Sequence, residues 1–336
     1  MKRAIALILC CLFMFSGCDE QNCSAEKSTF AFNTLISAKI YGGDREKLEQ
    51  ALNESFTLLE KVEQTASAEN ESSELYRLNS SAYNNAVAVS DMLYELIETG
   101  LKWAEATDGA LDITVGKLID LWGIGTENPR IPSADEINAV AAENGWRKVI
   151  LDSENKTVMF TDKNIKLNLG AIAKGYAGNL LRDSLIQNGV TEGTLNLGGN
   201  IVTIGLKNGS DKWKIGIADP NFPDTGISAK LSVGQTAVVT SGDYERYFEQ
   251  DGKRYCHIFD SKTGFPADSG LRSVTVICED SFTADCLSTA CFVLGKEKAE
   301  KLIESLENVS AVFIDTSGKV THTPLYDNGI EIYGEK

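Results

Sequence analysis

Helix-like and strand-like patterns are segregated along this chain and do not alternate. Helical periodicity dominates after a first predicted strand over Thr29 to Tyr41, whereas short strands and turns dominate from Thr194 to Phe259. Runs of helices followed by runs of strands favour an α+β fold with a mixed or antiparallel sheet over a doubly wound parallel fold. A chain of 336 residues is long enough to bury one large core or two smaller ones.

Capping residues mark where the predicted helices begin and end. Asp44 precedes a helix whose apolar residues fall on one stripe, and Ser90 opens another helix. Ser133 and Glu136 form a capping box for a short helix that we expect to end at Gly145. Further helices are predicted from Ala173 to Gln187 and over most of Thr283 to Glu307, and a strand over Lys156 to Asp162.

The N-terminus carries the pattern of an export signal. An apolar run that is too short to cross a bilayer follows Lys2 and Arg3 and closes on Ser16, Gly17 and Cys18. This pattern resembles a bacterial lipobox, so we expect residues 1–17 to be a signal peptide and Cys18 to carry a lipid. A plain secretory signal cut nearby is the alternative. The mature protein would then be anchored to the outer face of the cytoplasmic membrane, with residues 18–28 as a tether before a domain over 29–336.

The acidic composition excludes nucleic acid as a partner. Removing residues 1–17 deletes Lys2 and Arg3 and no acidic residue, which lowers the formal net charge from −16 to −18. An acidic surface repels phosphate, so a phosphate-bearing ligand needs a local metal, helix N-terminus or lysine.

The cysteines indicate neither a zinc site nor a disulfide framework. Five remain after the signal and Cys18, which is an odd number, and no CxxC pair occurs. We expect most of them to be buried as small apolar residues: Cys23, Cys256, Cys278, Cys286 and Cys291.

One glycine-containing segment has the features of an anion site. Leu167 to Tyr176 runs from a strand through Gly170 into the N-terminus of a helix, where free N–H groups and the helix dipole favour phosphate. Lys174 adds a point charge, although a solvated lysine on a first helical turn is the alternative.

A second segment has the features of a metal site. Asp285 and Thr289 are four residues apart and therefore project from one helical face. With carbonyl and phosphate oxygens, they suit a hard ion such as Mg²⁺. A capping Asp and a Thr bonded to its own helix form the alternative interpretation.

Three more segments are rich in turn residues: Gly109 to Gly116, Asn196 to Asn200, and Thr240 to Arg246, which is followed by His257 to Pro266.

His257 is a candidate general base if it lies close to a phosphate site, because the ordinary pKa of histidine lies near neutrality. An isolated histidine is, however, more commonly a core residue.

In this order the segments resemble the ApbE family, the FAD:protein FMN transferases. The resemblance runs from Phe32-Asn33-Thr34 to Asp285–Thr289 and thus spans nearly all of the mature chain. It implies a Mg²⁺-dependent transfer of FMN from FAD to a Thr or Ser hydroxyl of another protein, with release of AMP. It also implies an ApbE-like, T-fold-like architecture, with the FAD site between two subdomains if the domain is divided. The implied acceptors are subunits of Rnf-like or Nqr-like membrane redox complexes, or other extracytoplasmic flavoproteins.

The resemblance also assigns roles to individual residues. His257 would take the proton from the attacking hydroxyl, and the carbonyl of Ala171 with Asp285 and Thr289 would hold the ion. The implied FAD contacts are Phe32, Glu69, Ala110, Leu111, Asp112, Asn168, Lys174, Thr240, Ser241, Gly242 and Ile258.

Two positions depart from the family pattern. Glu69 stands where many relatives carry an aromatic residue that faces the flavin, and Phe32 stands where Met is usual. The same site could direct a water at the same phosphorus, so an FAD pyrophosphatase giving FMN and AMP is an alternative. A non-catalytic FAD-binding lipoprotein is another.

The anchor predicts a separation between chemistry and substrate access. Replacing Cys18 by Ala is expected to leave AMP release from FAD unchanged in solution while reducing the flavin on membrane acceptors in the cell, because anchoring raises the effective concentration of enzyme near them. In-gel flavin fluorescence of membranes, beside an AMP assay of the isolated protein, measures both. Equal labelling of membrane acceptors by both proteins would contradict the role of the anchor.

Overall fold

The computed structural model describes residues 23–142, 144–324 and 329–333. The predicted signal peptide and Cys18 lie outside these residues. Among the described helices, none is both long and apolar enough to cross a membrane.

Eight α-helices and eighteen strands form the described fold. The helices are α1 (Arg45–Ala66), α2 (Glu74–Ser81), α3 (Asp91–Ala106), α4 (Gly116–Trp122), α5 (Ala134–Val140), α6 (Ala173–Gln187), α7 (Ser281–Leu294) and α8 (Lys296–Glu304). The strands of the first half are β1 (Ser24–Ala31), β2 (Thr34–Tyr41), β3 (Val87–Ala88), β4 (Val149–Asp152), β5 (Thr157–Phe160), β6 (Glu192–Leu197), β7 (Asn200–Ile204), β8 (Trp213–Asp219) and β9 (Phe222–Val233). Those of the second half are β10 (Ala237–Gly242), β11 (Tyr247–Gln250), β12 (Lys253–Cys256), β13 (Phe259–Asp260), β14 (Phe265–Pro266), β15 (Leu271–Cys278), β16 (Ser310–Asp315), β17 (Val320–His322) and β18 (Ile330–Ile332).

An eight-stranded antiparallel sheet forms the centre of the fold. Its order is β1-β2-β6-β7-β10-β15-β16-β17, and a smaller sheet has the order β18-β9-β8. Helices together with antiparallel sheets confirm the predicted α+β class.

Alternate residues of the central strands enter two different cores. On β10, Val239 packs into the core that contains the helices, whereas Val238 packs against the smaller sheet. Phe313 and Val312 on β16 divide in the same way, because successive side chains of a strand point to opposite faces. The central sheet is therefore covered by helices on one face and by β18-β9-β8 on part of the other.

The predicted caps are confirmed, and one helix end was wrong. Asp44, Ser90 and Ser133 each accept a hydrogen bond from a backbone N–H of the helix that they open, and the Ser133 capping box is complete. The short helix ends at Val140, however, and Gly145 begins a 3₁₀ turn.

The single strand predicted over Thr29 to Tyr41 was also wrong. The chain folds back at Phe32 and Asn33, which both have positive φ (52° and 58°), so that β1 and β2 form a hairpin. Because β1 begins at Ser24, residues 24–28 belong to the sheet and not to a tether.

A third core holds the segment that contains the candidate histidine. The Trp122 indole N–H donates to the Gly264 carbonyl at 3.0 Å, and Trp122 packs edge-on against Phe259 and Phe265. The chain from His257 to Gly264 is thereby fixed against α4.

Two glycines let α6 and α7 approach closely. A Cβ at Gly175 would lie 2.4 Å from the Ser281 carbonyl oxygen and 2.5 Å from the Asp285 Cβ. A Cβ at Gly178 would lie 2.7 Å from the Ser281 hydroxyl. Any larger residue would push the two helices apart.

This contact predicts the effect of a single methyl group. Gly175→Ala is expected to lower the free energy of unfolding by about 1–3 kcal/mol, because overpacking outweighs the gain in helix propensity. Urea denaturation measures it, with Gln187→Ala at the exposed end of α6 as the control, expected within about 0.5 kcal/mol of wild type. Equal stability of the two variants would mean that α6 and α7 separate without cost.

Candidate active site

Asp285 lies on α7 but does not cap it. Asp280 is the cap and accepts the Thr283 N–H at 2.6 Å. The carboxylate of Asp285 is 4% exposed; its Oδ2 accepts the Gly175 N–H of α6 at 2.6 Å and its Oδ1 accepts the Asn200 side-chain amide at 3.0 Å. The capping interpretation of Asp285 is therefore wrong, and a carboxylate is held at the start of a neighbouring helix.

Burial raises the pKa of Asp285 to about 6. The charge of Lys174 and the two hydrogen bonds act in the opposite direction. Asp285 is therefore ionised at neutral pH.

The end of β10 lies against the same face of α7. Ser241 Oγ is 3.2 Å from Thr289 Oγ1 and 2.8 Å from Ser288 Oγ. Its neighbour Thr240 pairs with the Thr275 hydroxyl at 2.8 Å. A Cβ at Gly242 would lie 2.6 Å from the Tyr244 ring, which explains the glycine after Ser241. Asp285, Thr289 and the segment Thr240–Gly242 are thus brought together, but that segment is the end of strand β10 and not the turn that the sequence predicted.

The loop before α6 supplies the next part of the site. Asn168 Oδ1 accepts the Gly170 N–H at 2.9 Å and shapes this loop, and α6 starts after Ile172 without a side-chain cap. Ala171 and Lys174 therefore flank the helix start that Asp285 reaches. In the described part of the chain, Lys174 forms no hydrogen bond or ion pair, and its charge acts on Asp285, Glu245 and His257.

His257 belongs to one cluster with Asp285 and Lys174. Its backbone N–H donates to the Arg246 carbonyl at 3.0 Å, and its side-chain Nδ1 is buried without a partner among the described residues. Burial, together with the charges of Arg246 and Lys174, lowers the pKa of His257 to about 4. The imidazole is neutral at pH 7, and among the described residues no carboxylate forms a hydrogen bond with it.

Phe32 and Ile258 border the histidine. The Phe32 carbonyl, at the tip of the β1–β2 hairpin, accepts a hydrogen bond from Arg246 Nη2 at 3.2 Å. Ile258 is buried directly after His257. Phe32 is therefore tied to Arg246, which accepts the His257 N–H through its carbonyl, and Ile258 adjoins His257 in sequence.

Ala110, Leu111 and Asp112 lie in the segment between α3 and α4. The first two are buried, and Asp112 Oδ1 accepts the N–H and the hydroxyl of Thr114 at 2.8 and 2.6 Å. Asp112 Oδ2 is buried without a partner in the described chain, and burial raises the pKa of Asp112.

Two contacts connect this part to the other segments. The Asn168 N–H donates to the Ile113 carbonyl at 2.8 Å, and the Ser261 hydroxyl donates to the Gly109 carbonyl at 3.3 Å. The segment from Gly109 to Gly116 therefore touches both the loop before α6 and the segment that follows His257.

One predicted contact residue is not joined to the cluster. Glu69 is exposed in the loop between α1 and α2, where its N–H donates to the Ser67 hydroxyl at 3.4 Å. No hydrogen bond or ion pair of its carboxylate reaches another candidate residue within the described ranges.

Sequence reasoning missed two side chains of this site. Asn200 belongs to a segment that the sequence marks only as rich in turn residues, yet its side-chain amide donates to Asp285. Glu245 extends to the Gly199 turn; although it is accessible to solvent, the surrounding protein raises its pKa, while Lys174 and Arg246 lower it. Neither contact has a local signal, because each joins segments that are distant in sequence.

The donors present suit an oxygen-preferring ion. Among the described residues, no group of three His, Cys, Asp or Glu side chains could hold a metal. The oxygen donors that the resemblance implies, from Asp285, Thr289 and Ala171, are of the type that Mg²⁺ prefers, and they lack the histidine and cysteine ligands that zinc prefers. Three buried polar atoms of the site lack partners in the described chain, as expected where a ligand binds: Asp112 Oδ2, Asn200 Oδ1 and His257 Nδ1.

Comparison with known proteins agrees with this arrangement. The model of the ApbE family matches residues 32–313. The chain belongs to the ApbE family. A relative from Treponema pallidum (strain Nichols), named FAD:protein FMN transferase, is 35% identical over 326 residues, which is 92% of this chain and 90% of that protein. A second of the same name, from Klebsiella pneumoniae (strain 342), is 36% identical over 85% of this chain and 88% of its own.

Solved structures agree as well. The crystal structure of the ApbE protein from Thermotoga maritima superposes with a TM-score of 0.81 at 34% identity, covering 90% of this chain and 98% of that one. The predicted family and fold are therefore confirmed for this ApbE chain.

The buried histidine of this ApbE chain predicts a pH dependence of stability. Folded His257 has a pKa of about 4, and an unfolded His has one near 6.5, so the unfolded chain binds more protons between these values and stability is lost as pH falls. Between pH 7 and pH 5 the wild type is expected to lose up to about 2 kcal/mol more than His257→Gln. Urea unfolding of the metal-free proteins measures the difference.

The comparison of wild type with His257→Gln isolates the contribution of His257 to the pH dependence of stability. Asp285, whose folded pKa is raised, changes stability with pH in the opposite direction, but it does so in both proteins and cancels. An identical pH dependence of the two proteins would show that His257 titrates normally.

Proposed function

We propose that this chain transfers FMN from FAD to a Thr or Ser hydroxyl of a target protein, with Mg²⁺ as the bound ion. The observation that carries the proposal is a single cluster that joins the buried carboxylate of Asp285, the cation of Lys174 and the unpartnered imidazole of His257. The names of the relatives support the same reaction.

Local charge explains how an acidic protein would bind a pyrophosphate. The formal net charge is −16, so the general field of the protein opposes an anionic substrate. Lys174 and Arg246 supply positive charge within the cluster, and the uncapped start of α6 adds backbone donors. These groups would hold the FAD phosphates without help from the surrounding surface.

Three oxygen donors would hold the ion: the Ala171 carbonyl, the Asp285 carboxylate and the Thr289 hydroxyl. Bound there, Mg²⁺ would supply neutralisation of the negative charge that builds up on the pyrophosphate during transfer. The Gly175 N–H keeps the Asp285 carboxylate oriented for this role.

His257 would act as the general base. It accepts the proton of the acceptor hydroxyl as that oxygen forms a bond to the FMN phosphorus. The bond from this phosphorus to the bridging oxygen breaks, and AMP leaves with the electron pair. The products are a phosphoester of FMN with the protein and free AMP.

Substrate binding would also adjust this base. The charges of Arg246 and Lys174 contribute to the low pKa of His257. FAD phosphates placed beside these cations would neutralise them, which raises the pKa of His257 toward the working pH. The base would therefore become stronger when FAD is bound.

The buried segment with Ala110, Leu111 and Asp112, together with Asn168, would contact the rest of FAD. Asp112 Oδ2 is a buried acceptor without a partner among the described residues, which suits a hydroxyl or amino group of the nucleotide. Phe32 would close the cleft at the hairpin tip, together with Ile258 and with Thr240, Ser241 and Gly242 at the end of β10. Glu69, on its exposed loop, would contact FAD only at the edge.

The N-terminal residues support a proposal for the cellular location of the enzyme. We propose export and a lipid anchor at Cys18 on the outer face of the cytoplasmic membrane, supported by Lys2, Arg3 and the apolar run that follows. The acceptors would be flavin-binding subunits of Rnf-like or Nqr-like membrane redox complexes or other extracytoplasmic flavoproteins.

One experiment separates this function from its alternatives. The soluble domain is incubated with FAD, Mg²⁺ and a membrane-complex subunit that carries a flavinylation Thr, and AMP and the mass of the acceptor are followed. A transferase gives AMP together with an FMN-sized mass gain. A pyrophosphatase gives AMP alone, and a carrier protein gives neither.

Two variants test the assigned roles. Asp285→Ala is expected to abolish AMP release because the ion loses its carboxylate. His257→Ala is expected to bind FAD but to transfer it about 10²–10⁴-fold more slowly, since proton transfer contributes on that scale. Asp224→Ala, at an exposed position of β9, is the control and should retain wild-type rates. Unchanged transfer by His257→Ala would remove His257 from the mechanism.

A further inference from the structure

Asn200 makes a contact that the proposed reaction has not yet used. It is the first residue of β7, its side chain is 1% exposed, and its amide N–H donates to Asp285 Oδ1 at 3.0 Å. Since Gly175 occupies Oδ2, each oxygen of the carboxylate has one fixed donor.

The hairpin turn between β6 and β7 is shaped to present this side chain. Gly198 and Gly199 both have positive φ (65° and 96°), and a Cβ at Gly198 would lie 2.4 Å from Thr34. Asn196 Oδ1 accepts the Gly199 N–H at 2.9 Å and closes the turn from its exposed side. Two asparagines of one turn therefore do different things: Asn196 holds the turn, and Asn200 reaches the carboxylate.

The Oδ1 atom of the Asn200 amide is buried and has no hydrogen-bond partner among the described residues. A buried amide oxygen without a partner destabilises a protein, so its position beside Asp285 indicates a donor that arrives with a ligand.

We propose that Asn200 is a positioning residue of the ion site. Its N–H orients the Asp285 carboxylate toward the ion, and its Oδ1 receives a hydrogen-bond donor that enters with the ion. The inference rests on the proposed Mg²⁺ dependence and adds to it a residue outside the set of ion ligands. Residues that hold a metal ligand in place typically change metal affinity by about 10–100-fold when removed.

Titration with Mg²⁺ alone, by calorimetry on the soluble domain, tests the proposal without turnover. Asn200→Ala is expected to bind Mg²⁺ about 10–100-fold more weakly than wild type. Asn196→Ala, which loses a hydrogen bond in the same turn but leaves Asp285 untouched, is the matched control and should stay within about twofold of wild type. Equal weakening in both variants would assign the effect to the shape of the turn and overturn the role of the Asn200 amide.

A second variant covers the case in which Asn200→Ala does not fold. Asn200→Asp keeps the size of the side chain but places a carboxylate against Asp285 in place of a donor. It is expected to melt well below wild type without metal and to gain more from saturating Mg²⁺ than wild type does, because the ion relieves the repulsion. The same loss of melting temperature with and without Mg²⁺ would mean that Asn200 serves packing only.

The outcomes also separate this inference from the function on which it rests. If wild type binds Mg²⁺ and Asn200→Ala binds it equally well, only the role of Asn200 is wrong. If wild type shows neither heat nor thermal stabilisation with Mg²⁺, the proposed ion and the inference both fail.

Discussion

The contact between α6 and α7 is the interaction on which the site depends. A carboxylate in a protein interior is costly unless charges, dipoles or donors compensate it. Asp285 meets this condition because the missing side chain at Gly175 allows its carboxylate to reach a backbone N–H in the first turn of α6, where the helix dipole favours negative charge. The two helices thus hold a buried anion near the cation of Lys174. Asn200 donates to the same carboxylate, and Ser241 at the end of β10 pairs with the Thr289 hydroxyl on α7.

The distribution of charge follows from this arrangement. Positive charge that attracts phosphate is concentrated at Lys174 and Arg246, within a chain of formal net charge −16. The same two cations disfavour protonation of His257. An anionic substrate bound beside these cations would therefore also raise the pKa of His257, so the protonation of the proposed base would depend on whether the phosphates are bound. A protein with a generally basic surface would bind phosphate everywhere and would lose this dependence.

Local sequence signals predicted much of the fold. The predicted helix caps at Asp44, Ser90 and Ser133 were correct, because a cap involves only a few neighbouring residues. The β1–β2 hairpin was missed because its turn is made by Phe32 and Asn33 in left-handed conformations, without the glycine that usually marks such a turn.

The site itself was predictable only in part. The segments could be found from their turn residues and from the spacing of Asp285 and Thr289, which is a property of one helix. The contact of Asn200 with Asp285 spans 85 residues and that of Arg246 with Phe32 spans 214, and no local pattern encodes either pair. Such contacts depend on the packing of the sheet and become visible only in the folded chain.

The hairpin tip is a fixed border of the site and not a loose loop. A bulky residue with φ near 52° costs on the order of 1–3 kcal/mol, and it persists only where other contacts hold it. Here the Phe32 N–H donates to Glu63 of α1 at 2.8 Å, and its carbonyl accepts from Arg246. Because Arg246 also accepts the His257 N–H, the strained residue and the candidate base are two hydrogen bonds apart. Glu69 lies on an exposed loop, and its carboxylate makes no such contact among the described residues, so of these two residues only Phe32 is tied to the segment that carries the candidate base.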